Sequence, residues 1–136
     1  MPNDSVQQSV LAAVHDLVSA FASNNLPEYF GSFSDDAEFI FYTHTERLYS
    51  RIAYENLWEQ WVSQDGLKII SCKSSNQNVV LLGDEHALFT HDVETKLSTN
   101  SGIDNVQERE SIVFRRDGGS WLAIHEHLSP LPALGA

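Results

Sequence analysis

Val106-Gln107-Glu108-Arg109-Glu110-Ser111-Ile112-Val113-Phe114-Arg115-Arg116-Asp117-Gly118-Gly119-Ser120-Trp121-Leu122-Ala123-Ile124-His125-Glu126-His127-Leu128-Ser129 is the stretch on which the fold turns. Two runs with period-two alternation, Val106 to Arg116 and Trp121 to Ser129, flank Asp117-Gly118-Gly119, a turn that accepts the left-handed backbone a tight hairpin needs. Upstream the period remains two. Leu67 to Ser74 and Asn78 to Leu82 read as one long strand or a strand with a bulge. Gly83-Asp84 turns the chain into Ala87 to Leu97, and Asn100-Ser101-Gly102 turns it again. Pro130 and Pro132 end pairing, so the tail 130–136 is expected to fray.

The first half has a different period. Val6, Val10, Val14, Leu17, Val18 and Phe21 recur at three and four, predicting a helix over Ser5–Ser23 capped by Asp4 or Ser5. Asn24-Asn25 ends it, and a short helix follows from Pro27 to about Phe33, closed by Ser34-Asp35-Asp36. Ala37 to Thr43 reads as a strand. Arg51 to Gln64 returns to helical spacing through Tyr54, Leu57, Trp58, Trp61 and Val62, and Asp65-Gly66 stops it. Helices first and an antiparallel meander afterwards make the class α+β, with N-terminal helices packed on the concave face of a curved, mainly antiparallel sheet. Such a sheet is a cone-shaped barrel with a natural cavity.

The 136 residues fit one domain, 1–136, with 42% apolar and 20% charged residues as in ordinary globular chains. Eight basic against nineteen acidic side chains give a net charge of −11. That surface repels phosphate backbones and anionic lipid, so neither nucleic acid nor membrane is expected as a partner. Cys72 is the only cysteine and cannot form an intramolecular disulfide. Met1 to Asp16 has no basic segment leading into an apolar run, and no stretch is long enough to span a bilayer, so a cytoplasmic protein is expected.

The element order resembles the nuclear transport factor 2-like superfamily, and more narrowly its SnoaL-like members. Asn25-Leu26 through Phe33 followed by Asp35-Asp36-Ala37 is similar to that family's junction of small helix and first strand. Arg115-Arg116-Asp117-Gly118 followed by Trp121 to Ser129 is similar to its closing hairpin. The resemblance implies a cone-shaped, cystatin-like or ketosteroid isomerase-like fold and a homodimer packed through the outer sheet face. It implies no single activity, because isomerases, cyclases, hydrolases, dehydratases, transport factors and a kinase hub domain share the fold. Matching the landmarks puts Leu17 at the oxyanion-binding tyrosine of ketosteroid isomerase and Phe41 at its aspartate base. Neither side chain can donate to an enolate or accept a proton, so that mechanism is not expected. By the same resemblance Leu128 stands at the kinase hub's pocket-lining arginine.

Alternation sorts the candidate site residues. On the last strand Leu122, Ile124, Glu126 and Leu128 share one face; Trp121, Ala123, His125, His127 and Ser129 share the other. The first face makes Glu126 a candidate acid or base on a pocket wall with Leu128, or else a carboxylate paired with a neighbouring arginine. Arg109, with Ser111 and Val113 beside it, could pair with Glu126, hold a carboxylate-bearing ligand, or lie on the surface. Phe89, His91 and Val93 share a face, and His91 suits proton transfer or a satisfied place in the core. Tyr42, Trp58 and Trp61 could rim the cone or simply pack. His125 and His127 could chelate a metal, but outer-face packing is the simpler reading and no metal is assigned. Cys72 reads as a core thiol. No Gly-rich phosphate loop, nucleophile elbow or zinc helix occurs, and no cofactor is called for. Two readings remain: a cofactor-independent isomerase, cyclase or hydrolase using Glu126 or His91, with Arg109 and Tyr42 orienting a small molecule; or a non-catalytic ligand-binding or dimerisation module.

Overall fold

The computed structural model describes residues 2–132. Its elements run α1 (Pro2–Ala22), α2 (Leu26–Gly31), β1 (Phe33–Phe41), α3 (Arg51–Asp65), β2 (Lys68–Leu82), β3 (His86–Thr99), β4 (Gly102–Asp117) and β5 (Ser120–Pro130). The five strands order as β1-β5-β4-β3-β2, antiparallel throughout except for the parallel β1–β5 pair. The curved sheet is open, with β1 and β2 at its edges. The helices close the cone. Val10, Val14, Leu17 and Ala20 of α1 and Tyr54, Leu57 and Trp58 of α3 are buried against it, while Val62 is exposed. No helix among the described residues is long and apolar enough to cross a membrane.

Helix α1 begins earlier than its apolar stripe suggests, with Pro2 in the first turn where a missing N–H costs nothing. Asp4 and Ser5 therefore lie within the helix instead of capping it. Asn24 takes a left-handed backbone with φ 58°. Its side chain then acts as a piece of strand: Oδ1 accepts from Ile69 N–H at 3.0 Å and Nδ2 donates to Ile69 C=O at 2.8 Å. Asn25 caps α2 by accepting from Glu28 N–H, and Ser50 caps α3 by accepting from Ala53 N–H at 3.2 Å.

Ser34-Asp35-Asp36 is strand, not the polar end of a helix. The β1–β5 register shifts between Phe33 and Glu38, and at this bulge Ser34 is buried next to Phe33 while Asp35, which has the same parity as the buried Phe33 and Ala37, is left in solvent with Asp36. Strand β2 is one long strand with register shifts at Ile69/Ser71 and Ser75/Asn78. A further shift between Val113 and Phe114 sets Val113 opposite His125 but Phe114 opposite Ala123. It overturns half of the strict alternation along β5. Trp121 and Ala123 are buried on the inner side with Glu126, whereas Leu122 falls outside, because one extra residue reverses every side chain before it. Strand β5 continues to Pro130, and Leu131 N–H donates to Gln107 C=O at 3.1 Å; residues 133–136 lie outside the described residues.

Candidate functional site

Strands β3, β4 and β5 each contribute a polar group to the floor of the cone. His91 lies directly opposite Glu110, and Glu126 stands two residues from Leu128, the residue opposite Glu110. His91 is 2%, Glu110 8% and Glu126 5% exposed. The sheet thus holds an imidazole and two carboxyls side by side where water is scarce.

A chain of hydrogen bonds joins them. Gln77 Nε2 donates to Ser74 Oγ at 2.9 Å, and Ser74 Oγ lies 2.6 Å from His91 Nδ1. His91 Nε2 lies 2.6 Å from Glu110 Oε1. A carboxylate can only accept, so Nε2 carries hydrogen and donates to Glu110. In the neutral ring Nδ1 then accepts from the Ser74 hydroxyl. Glu126 approaches the same carboxylate. Burial pushes its carboxyl well above the ordinary range, and repulsion from Glu110 adds to this. Burial also pushes Glu110 up, but bonds from Glu126 and His91 outweigh it and hold Glu110 below the usual value. The two neighbouring carboxyls are thus driven in opposite directions, Glu110 toward its ionised form and Glu126 toward its protonated form, as in a pair that titrates together. Oε2 of Glu126 is sealed from solvent and receives no hydrogen from another described residue.

These groups open into a cavity of about 370 Å³, a size typical of small-molecule sites. Tyr29 and Tyr54 line its floor, their hydroxyls 2.7 Å apart, and burial pushes both phenols well above their usual value. Trp58 and Trp61, 6.0 Å apart between ring centres, form a wall with Phe41. Near the opening, Tyr42 (44% exposed) donates to Glu108 Oε2 at 2.7 Å. Burial, with the Glu108 bond, raises the Tyr42 phenol to about 12, and burial also raises Glu108. Cys72 lines the cavity as a half-buried thiol that burial pushes up to about 11, far from a nucleophile's range.

His91, Glu126, Tyr42, Trp58, Trp61 and Leu128 all line this cavity. Phe89 does not reach it; its ring packs beneath His91, centroids 4.6 Å apart. Arg109 and Ser111 are on the other side of the sheet. Glu108, Glu110, Ile112 and Phe114 take the inner face of β4, so Arg109 is directed outward, where it donates to Asp92 at 3.3 Å and keeps its side chain 59% exposed. Arg109 therefore neither pairs with Glu126 nor holds a ligand in the cone. His125 lies 3.6 Å from Glu38 on that outer face, and His127 is exposed beside it. Among the described residues no cluster of three or more His, Cys, Asp or Glu is placed to hold a metal.

Glu110, Glu108, Tyr29 and Tyr54 are the site residues that sequence reading missed. A signal existed: Glu108, Glu110, Ile112 and Phe114 share one parity, and that parity ends in the larger apolar side chains.

Leu17 and Phe41 both line the cavity, so its polar groups come from the sheet's middle strands and not from those positions. A structure from Novosphingobium aromaticivorans named as a scytalone dehydratase superposes with a TM-score of 0.82 at 15% identity, covering 96% of this chain and 87% of that one. A ketosteroid isomerase-like protein of Erwinia carotovora atroseptica gives 0.77 at 14% identity over 93% and 96%. A protein of Xanthomonas campestris named as a calcium/calmodulin-dependent protein kinase II association domain gives 0.74 at 25% identity over 91% and 87%. No curated protein matches in sequence. The profile of the SnoaL-like domain matches residues 10–133, nearly the whole chain and all of the elements that build the cavity, and the protein belongs to that family.

Proposed function

We propose that the cavity is the active site of a cofactor-independent enzyme that moves a proton on a small, largely apolar molecule. One observation carries the reading: two deeply buried carboxyls line one aromatic cavity and one of them is bonded to a histidine; their surroundings drive the two acids in opposite directions, Glu110 down and Glu126 up. Such a pair holds a base and an acid together at neutral pH. Glu110 can take a proton from a carbon beside a carbonyl while Glu126 gives one to the carbonyl oxygen. The C–H electron pair becomes the double bond of an enol, and return of a proton to another carbon completes an isomerisation with no net change in charge. His91 and Ser74 keep Glu110 oriented, and the phenols of Tyr29 and Tyr54 supply neutral donors.

Deuterium wash-in to 2-tetralone, a neutral aromatic ketone with an acidic C–H, tests this by NMR in D₂O. The protein should speed exchange, and Glu110→Gln and Glu126→Gln should each slow it by about 100-fold. Exchange equal in wild type, variants and heat-denatured protein would leave a binding module. That second reading has its own support in the likeness to an association domain. Leu88, Val113 and Leu122 are also half-buried on the outer face, away from the core. Sedimentation at micromolar concentration, with Val113→Lys as the disrupting variant, tests a homodimer through that face.

A further inference from the structure

The charge balance of the cavity wall is one-sided. Among the described residues four carboxyl groups line it (Asp65, Glu108, Glu110 and Glu126), and no lysine or arginine does. A pocket built for a carboxylate or phosphate ligand places an arginine or lysine inside it; here Arg109 points away and spends itself on Asp92. Glu110 is ionised and sits deep in the cone. Glu108 accepts from Tyr42 nearer the opening and has further lone pairs free. Asp65 ends α3, so the negative end of that helix dipole lies at the same rim. Trp61, Tyr54 and Phe41 stand within 6.4 Å of one another between ring centres and all line the cavity, aromatic surface of the kind that attracts cations. Glu126, 5% exposed and part of the wall, has an oxygen that no other described residue supplies with a hydrogen.

From these observations we infer that the cavity selects an organic cation, a protonated amine carried on an apolar or aromatic frame, and rejects organic anions. The frame lies against the Trp58–Trp61 wall. The ammonium group lies toward Glu108, where it gains charge-assisted hydrogen bonds in a partly dry site. A carboxylate on the same frame would meet ionised acids with no counter-charge, which costs far more than it gains. The net charge of −11 adds a field that draws cations to the opening. This rests on the cavity being a ligand site, as proposed above, and names the class of its ligand.

Three molecules with one frame separate the charge from the pocket: 2-(aminomethyl)naphthalene, which is a cation at pH 7, 2-naphthalenemethanol, which is neutral, and 2-naphthoate. Calorimetric titration of the full chain should rank them in that order, the amine about ten-fold tighter than the alcohol and the naphthoate without measurable heat. Glu108→Gln, which still accepts from Tyr42, should lower the amine's affinity by about ten-fold and leave the alcohol's unchanged. Equal binding of alcohol and amine, or binding of naphthoate, overturns the charge selection while keeping the pocket. Equal losses of amine and alcohol in Glu108→Gln overturn the assigned contact. If none of the three binds, the pocket reading fails as well.

Discussion

Glu126 shows how one buried proton sets stability. Its carboxyl is raised far above the ordinary range by burial, then by Glu110, so the folded state holds a proton that the unfolded chain has released by neutral pH. The unfolded state therefore binds fewer protons, and stability falls as pH rises above the ordinary glutamate range, until the folded carboxyl itself ionises. Each pH unit in that interval costs about 1.4 kcal/mol. Glu110 has the opposite sign: held below its usual value, it contributes stability above the ordinary range that is lost as pH falls through its own lowered one. Glu126→Gln keeps a donor to Glu110 and cannot ionise. Chemical denaturation from pH 5 to pH 8 should show the wild type losing stability more steeply than the variant, which keeps only the smaller fall due to the raised Glu108 carboxyl. A variant that parallels the wild type would mean that Glu126 is ionised in the fold. Glu110→Ala should behave differently. It leaves His91 Nε2 and the Glu126 proton without an acceptor in a buried place, and should cost about 3 kcal/mol at every pH in that range, read from the same curves.

Each element boundary that departs from the sequence pattern is set by a contact that pattern does not contain. Asn24 illustrates it. In sequence it is a helix stop, and the left-handed turn was readable; its two bonds to Ile69, forty-five residues away, were not. Removing those bonds leaves a buried N–H and C=O of β2 unpaired, while removing the asparagine's tolerance of φ 58° adds strain. Asn24→Gly should therefore lose about 2 kcal/mol in urea unfolding and Asn24→Ala about 1 kcal/mol more. Equal stability of Asn24→Gly and wild type would make the bonds idle. The existence and order of the helices and strands were legible because apolar periods of 3.6 and 2 persist over ten or more residues. The bulges were not, because one added residue changes no composition. That is why Glu126 and Leu128 fall on the cavity side by alternation but Trp121 and Ala123 do not; Arg109 is a separate case, since β4 alternates without a break from Glu108 to Phe114 and of the readings open to Arg109 the structure takes the surface one.

At the scale of the molecule the excess of acidic groups works against compactness. Among the described residues the arginine ion pairs that offset it are few and lie at the surface, partly exposed: Arg51 with Asp35 and Glu55, Arg115 with Asp36 and Asp117, and Arg109 with Asp92. Exposed pairs of this kind contribute little, and salt weakens them. Against them stand a net charge of −11 on a chain of 136 residues and a cavity lined, among the described residues, by four acids and no lysine or arginine. Repulsion among many like charges acts over longer distances than the pairs do, so raising salt from about 0.01 M to about 0.1 M, which shortens the screening length from about 30 Å to about 10 Å, removes more repulsion than attraction. The melting temperature should rise by about 3–4 °C over that interval, as expected if about 1 kcal/mol is gained in a chain of this length. Sodium and potassium chloride should act alike, since both screen and neither is a specific ligand. A flat or falling melting temperature in calorimetry would show that the exposed arginine pairs outweigh the acidic surface. Binding of the naphthyl amine should weaken over the same salt interval while the neutral alcohol's stays constant, because the field that lowers the stability of the empty fold is the one that attracts the cation.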